Sequence, residues 1–329
     1  MKNFKKTTIL LIATVLLALG VTACGSDQKA SPPASATPSL GTIKIGMVGQ
    51  TIGPVGVAIN DGSYKAAGLD VEPVSFSAGA DAVQALVGGS LDVFQGGYEH
   101  VLNQINNGLD VKAFALLNNS SSYQLLERSD SPVTQLADVK GQVLGVTKAG
   151  SLSDSTLKFI LKEAKLDPVK DVKIVNAGTG ATMSAALESK NIIAGMVSEP
   201  TSSLMISTGD YKILVDPSFD TAGLVLMGKS DWAKTNSQAL KAFLAVTKKA
   251  TEKSAADPAY AAKALKKWYP NLDDKVLLAA ATNVFKRVPT DLKITKTGTD
   301  QVLQTKLEEK LIPKEITFEQ GVDLSYLPQ

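Results

Sequence analysis

The chain has 329 residues, 44% of them hydrophobic, enough for two packed α/β lobes rather than one small core. Its net charge of +2 comes from 34 basic against 32 acidic residues; residues 1–23 hold Lys2, Lys5 and Lys6 and no acid, so the remainder carries 31 basic against 32 acidic. Such a near-neutral body leaves no electrostatic footprint for nucleic acid, and a single cysteine excludes an intrachain disulfide or a Cys₄ metal site.

Residues 1–23 have a lysine-bearing start, an apolar run over 9–21 and small residues before Cys24. This is the pattern of a secretory signal, too short to span a membrane. Val21-Thr22-Ala23-Cys24 resembles a bacterial lipobox, in which Cys24 becomes the acylated mature N-terminus. Residues 24–41, rich in Ser, Ala and Pro without apolar periodicity, read as a flexible tether behind that lipidated cysteine.

A strand is expected at 42–48, with Ile43, Ile45 and Met47 alternating, followed by a helix launched from Gly49-Gln50-Thr51-Ile52-Gly53-Pro54. Strand 70–76, helix 81–87 and the apolar run 91–94, which opens into Gly96-Gly97-Tyr98-Glu99, form a strand–helix–strand unit. So short a unit implies a crossover into a parallel sheet, with ligands beyond the carboxyl ends of its strands. Helix 101–107, strand 111–117 ending at Asn118 and strand 123–127 complete the first part. Ser131-Pro132 marks a boundary, then a short helix 135–140 and strand 142–147 lead to the loop Ser151-Leu152-Ser153 and a helix over 155–165. Strand 172–176 enters a second unit, 176–200, which repeats the first: a shift of 101 residues sets Gly79 on Gly180, Ala85 on Ala186 and Leu91 on Ile192. The same ungapped shift sets Ile45 on Val146 and Gly49 on Gly150. Strands at 212–215 and 223–227 precede a helical C-terminal third, in which Leu240, Phe243, Leu244 and Val246 share a face for packing on the first lobe and Trp268 and Tyr269 serve as core.

Enzyme motifs are missing: no nucleophile elbow, P-loop, H-E-x-x-H or C-x-x-C occurs. Gly178-Thr179-Gly180 follows a strand, but Met183 stands where a dinucleotide fingerprint needs its third glycine. His100 has no histidine partner for a metal and is expected to be a surface or capping residue. The expectation is therefore no catalytic residue, no metal and no cofactor.

Taken together, the lipobox, the tether and the paired units resemble the solute-binding lipoproteins of ABC importers, in the nitrate/sulfonate/taurine (NMT1/THI5-like) branch. The resemblance rests on Ala67–Val71, Gln84–Val93, Gly97-Tyr98-Glu99-His100, Leu136–Gly141 and Val143–Ser151; Ile193-Ala194 and Glu199-Pro200 depart from the branch's usual pattern. It implies an α/β type II periplasmic-binding-protein fold: lobe 1 at 42–124 plus 223–329, lobe 2 at 125–222, each a mostly parallel sheet flanked by helices. Its partners would be a small-molecule solute and the permease and ATPase subunits of an importer. The protein would be a monomer, exported and lipid-anchored through Cys24 to the outer face of the bacterial cytoplasmic membrane. The alternatives are a pyrimidine or thiamine-precursor binder, or an enzyme of the same fold.

Four Gly/Ser/Thr-rich turns on one sheet edge are expected to hold a small polar or anionic solute through helix N-termini and loop amides. The expected site residues are Gln50, Thr51, Ile52, Ser77, Gly79, Ala80, Gly97, Tyr98, Asn118, Ser151, Leu152, Ser153, Thr179, Gly180, Thr182 and Glu199. Tyr98 would supply a wall and a hydroxyl, and Glu199 either receives an amine of the solute or makes a hinge salt bridge. Hinges are expected at 123–127 and 223–227. Few aromatics favour an aliphatic sulfonate, taurine or nitrate over a ring.

Overall fold

A computed structural model describes residues 39–48, 52–217 and 219–329. The expected signal, Cys24 and most of the expected tether therefore lie outside the described residues, as do Gln50 and Thr51.

The first sheet is built from β1 (Gly41–Val48), β2 (Leu69–Phe76), β3 (Val93–Gly96) and β4 (Val111–Asn118). Between these strands run α1 (Pro54–Asn60), α2 (Ser63–Ala66), α3 (Gly79–Val87) and α4 (Glu99–Asn106). The second sheet takes β5 (Tyr123–Arg128), β6 (Val143–Val146), β7 (Lys173–Asn176), β8 (Ala194–Ser198) and β9 (Tyr211–Val215), with α5 (Leu152–Glu163), α6 (Ala181–Glu188) and α7 (Thr201–Ser207). Strand β10 (Leu224–Lys229) returns to the first sheet. After it come α8 (Ser230–Thr235), α9 (Ser237–Ala256), α10 (Pro258–Leu265), α11 (Asp274–Phe285), α12 (Lys296–Glu308) and α13 (Phe318–Gly321).

The sheets have one design. Their orders are β2-β1-β3-β10-β4 and β7-β6-β8-β5-β9, so each has its fourth strand delivered from beyond a crossing between lobes. Those fourth strands, β10 and β5, run antiparallel to both neighbours, while the other pairs are parallel. Tyr123 and Gln124 pair with Ser198 and Val197 in the second sheet, although the sequence reading ended lobe 1 at 124. The expected hinges need the same correction. A strand bonded on both sides cannot swivel, so the crossings fall just outside, at 119–122 and 216–223.

Register also corrects the repeat. Residue 41 pairs with 69 and 45 with 93 in the first sheet, whereas 143 pairs with 173 and 144 with 194 in the second. The separations are 28 and 48 residues in the first case, 30 and 50 in the second. The shift of 101 holds from β2 onward, but β1 maps onto β6 with a shift of 99. Gly46 thereby becomes the mate of Gly145, not of Thr147. Both glycines make room for the aliphatic residue after the crossover helix. A Cβ on Gly46 would lie 2.4 Å from Leu91 Cδ1, and one on Gly145 would lie 2.6 Å from Ile192 Cδ1.

Each sheet is buried on both faces, as parallel sheets must be. One face of the first carries Ile43, Ile45 and Val57 against Tyr64, Phe243, Leu265 and Leu277; the other carries Val83, Leu86, Phe94, Tyr98 and Leu102. Tyr64 stacks on Phe243 at 5.0 Å between ring centroids and hydrogen-bonds Thr247 at 2.7 Å, which fixes α9 on the first lobe. Trp268 and Tyr269 pack at the margin of this cluster.

Gly46→Ala and Gly145→Ala are each expected to cost about 1–3 kcal/mol by overpacking, measured by denaturant unfolding. Leu91→Ala should relieve the first and not the second, because only residues in contact couple.

Candidate functional site

The carboxyl ends of both sheets face one another, and two connected chambers lie between them. They share Gln95, Ser122, Ser198 and Leu224 in their walls. In this arrangement both are narrow, with room of about 50 Å³ in one and 40 Å³ in the other.

The first chamber holds Arg287. Ile52 and Asn118 line it from the first lobe, Gln124 and Glu199 from the second, Asn283 from α11 and Arg287 from just beyond that helix. Asn118 is fixed by its own turn: its Oδ1 accepts from Ser120 N at 2.9 Å, and its Nδ2 donates to Ser122 Oγ at 3.3 Å. The Glu199 carboxylate accepts from Ser203 N at 3.1 Å and Ser203 Oγ at 2.9 Å, and across the cleft from Asn283 Nδ2 at 3.1 Å. These donors are neutral, so the salt bridge considered for Glu199 gives way to a hydrogen bond between lobes. Gln124 Oε1 is buried here without a hydrogen-bond partner among the described residues.

The second chamber holds His100. Gly79, Gly97, Tyr123, Ser151 and Leu152 line it with the imidazole. Here the N-terminus of α3 meets that of α5, and Ala80 N donates to Ser151 Oγ at 3.4 Å across the cleft. Two helix N-termini make a field suited to negative charge. The Tyr123 hydroxyl, pushed up to about 12 by burial, stays protonated and bonds the Thr147 side chain.

His100 overturns the expectation of a surface or capping residue. It is 2% exposed, its ring tilted against Phe94 at 5.6 Å, with Nε2 lacking a hydrogen-bond partner among the described residues. Burial holds the imidazole below its usual pKa; Glu99 opposes that shift and Lys306 adds to it.

The structure thus brings Ile52, Gly79, Gly97, Asn118, Ser151, Leu152 and Glu199 together in the two walls. Other expected residues stand elsewhere. Tyr98 is 1% exposed inside the first-lobe core, with its hydroxyl against Gly321, because the ring points away from the sheet edge that its backbone borders. Ser153 turns inward, its Oγ bonded to Thr147 N at 3.0 Å and Thr147 Oγ1 at 2.8 Å. Ser77 and Thr182 are exposed, and Ala80, Thr179 and Gly180 line neither chamber. The Thr182 hydroxyl closes its own turn on Thr179 O at 2.7 Å.

Gln95, His100, Gln124, Asn283 and Arg287 were not expected at the site. The glutamines did leave a signal, a polar residue inside each of the apolar runs Val93–Gly96 and Tyr123–Arg128. Asn283 and Arg287 left none, because α11 read simply as packing. Arg287 also ties the lobes together. Its Nη2 bonds both Asp216 oxygens, at 2.6 and 2.5 Å, and its Nη1 donates to Ser121 O at 3.3 Å. Further bridges are the Asp81–Lys148 ion pair, Lys162–Glu309 at 3.2 Å and Ser121–Thr156 at 3.1 Å.

Among the described residues no group of three or more His, Cys, Asp or Glu could hold a metal, and no helix is long and apolar enough to cross a membrane. Two five-stranded sheets enclosing a cleft, with strands exchanged across two crossings, define the class of two-lobed periplasmic binding proteins. A family model described as NMT1/THI5 like matches residues 50–261, more than half of the chain, and the protein belongs to that family. A comparison with curated proteins finds no match. Among solved structures, a protein of Bordetella bronchiseptica RB50 is 27% identical, with a TM-score of 0.72 over 87% of this chain and 95% of its own. The alkanesulfonate-binding protein SsuA of Xanthomonas axonopodis pv. citri, bound to MOPS, is 19% identical, with a TM-score of 0.74 over 88% of this chain and 99% of its own. The periplasmic nitrate-binding protein NrtA of Synechocystis PCC 6803 is 15% identical, with a TM-score of 0.69 over 87% of this chain and 86% of its own.

Arg287→Ala is expected to loosen the closed arrangement. A partly exposed pair is worth roughly 0.2–1 kcal/mol, at most about a fivefold shift of the open–closed balance. Small-angle scattering should show a larger radius of gyration; an unchanged profile would mean that other bridges hold the lobes.

Proposed function

We propose that this protein is the extracytoplasmic solute receptor of an ABC importer. It captures a small anionic or polar solute of the aliphatic sulfonate, taurine or nitrate kind and hands it to the permease. The observation that carries this reading is the meeting of the α3 and α5 N-termini in a chamber walled by both lobes. An exposed helix N-terminus favours an anion by about 0.3–1 kcal/mol and a partly buried one by up to about 2 kcal/mol. Two such termini, with hydroxyls from Ser122, Ser151 and Ser198, make a site for oxygen atoms of a charged head group. The family and the sulfonate- and nitrate-binding neighbours support the same class of solute.

Capture works by lobe closure about the crossings at 119–122 and 216–223, with the solute acting as cement between the walls. It shifts the balance towards the closed form by its differential affinity for that form. The Arg287 chamber receives the solute's tail, where Gln124 Oε1 takes a hydrogen from an amine or hydroxyl. Cys24, acylated after export, anchors the receptor to the membrane, and the tether lets the lobes reach the permease.

A thermal-unfolding screen over ethanesulfonate, taurine, nitrate, small carboxylates and a thiamine-type pyrimidine tests the reading. A true solute at a hundred times its Kd should stabilise the fold by about 2.7 kcal/mol and be recovered unchanged. Turnover would make the protein an enzyme, and selective binding of the pyrimidine would reassign the solute.

Cys24→Ala tests the anchor separately. The variant should move from the membrane fraction to the soluble extracytoplasmic fraction without loss of solute affinity. Retention in the membrane would remove the lipid anchor from the account.

A further inference from the structure

His100 is the only histidine in the sequence, and it stands at the first turn of α4 with its ring inside the first lobe. Its Nε2 reaches the N-terminus of α3 because residue 79 has no side chain; a Cβ on Gly79 would lie 2.7 Å from that nitrogen. The atom borders the second chamber, buried and without a hydrogen-bond partner among the described residues. A buried imidazole nitrogen left unpaired costs free energy, so its retention at the chamber wall needs a partner that arrives.

The charges around the ring decide what that partner does. From its own helix comes Glu99, 1% exposed, with Oε1 3.6 Å from Nε2 and likewise unpaired. That separation is too long for a hydrogen bond but close enough for the carboxylate to favour an imidazolium. From α12 comes Lys306, 4% exposed, which disfavours it. From β3 the ring meets Phe94, which carries no charge, and from β5 Tyr123, which remains neutral. From α3 and α5 come backbone amides and the Ser151 hydroxyl, while Asp81 and Lys148 pair with each other across the cleft.

Burial and Lys306 thus outweigh Glu99 in the free protein, and the imidazole is neutral. An oxyanion seated on the α3 and α5 N-termini adds a second negative charge beside the ring and accepts a hydrogen from Nε2. We propose that capture of an anionic solute in this chamber is coupled to uptake of one proton by His100, so that the receptor binds solute and proton together. This rests on the reading of the cleft as an anion site. The proton comes from solvent, becomes the second N–H of the imidazolium, and returns to solvent when the solute leaves.

The sign follows from linkage. Binding raises the pKa of His100, so affinity climbs as pH falls through the bound-state pKa, by about tenfold per unit between the two pKa values. It levels off below the free-state pKa. A receptor of this kind fills best on an acidified membrane face and unloads most easily where the medium is alkaline.

Because the chain has one histidine, its imidazole proton resonances can be followed without assignment in protein purified without a histidine tag. The probes are ethanesulfonate, taurine and nitrate, whose anionic groups do not titrate in the imidazole range. With a probe that binds, the His100 midpoint should rise by at least one unit. Calorimetry in buffers of different ionisation enthalpy should give uptake approaching one proton between the two midpoints. His100→Gln, shown to be folded by its thermal transition, should bind with pH-independent affinity and no proton uptake. Binding without a moved midpoint or without uptake overturns the coupling while leaving the anion site standing. Failure of all three anions to bind overturns the anion site and the coupling with it.

Discussion

Gly223 lies so close to the carbonyl of Ser120 that a Cβ there would sit 1.9 Å from the oxygen. At that point the chain leaving the first lobe and the chain returning to it run backbone against backbone, joined by Thr221 N to Asn119 O at 3.0 Å. Everything else about the molecule's motion depends on this contact. Two segments held so closely can bend together, but they cannot slide past one another. Any closure of the lobes would therefore be a rotation about the paired crossings rather than a shear. Arg287 sits beside this spine, bonded to Asp216 and to the Ser121 carbonyl.

The cleft is electrostatically divided. At the His100 end, helix N-termini and hydroxyls converge on a space bordered by the buried imidazole; at the other end, Arg287 is already matched by Asp216 and Glu199 by neutral donors. The unsatisfied potential therefore lies in the interior of the cleft, on groups that water reaches poorly. A low local dielectric strengthens each interaction there and penalises an unpaired polar atom more heavily. Selectivity follows from both effects, because a solute lacking the right acceptor or donor leaves these groups stranded.

Much of this architecture is legible in the sequence. Val, Ile and Leu runs broken by Gly and Asp mark the strands, and the match of Gly79 with Gly180 and of Leu91 with Ile192 reveals the duplicated unit. What the ungapped comparison missed was a two-residue difference between the first and second strands of each repeat. Only ladder registers expose it, since identical shifts over short apolar runs look equally good. The site was read in part for a similar reason. Turn chemistry points to Gly79, Ser151 and Leu152, but the direction of a side chain at a strand end depends on packing across the sheet. Tyr98 and His100, two residues apart, show the ambiguity: one ring goes into the core against Gly321 and the other borders the cleft. Helix α11 and the residues just beyond it contribute Asn283 and Arg287 from far along the chain, and no local pattern announces such a contribution.

The exchange of fourth strands also sets an order of assembly. All five strands of the second sheet, β5 to β9, are contiguous in the chain and can pair as soon as they are released together. The first sheet cannot, because β4 has no neighbour until β10 arrives, after the whole second lobe has emerged. Until then the half-built sheet β2-β1-β3 ends at β3, an edge that lacks its neighbour. The later lobe in sequence is thus the earlier one to mature, and the N-terminal half of the newly made chain waits for its keystone.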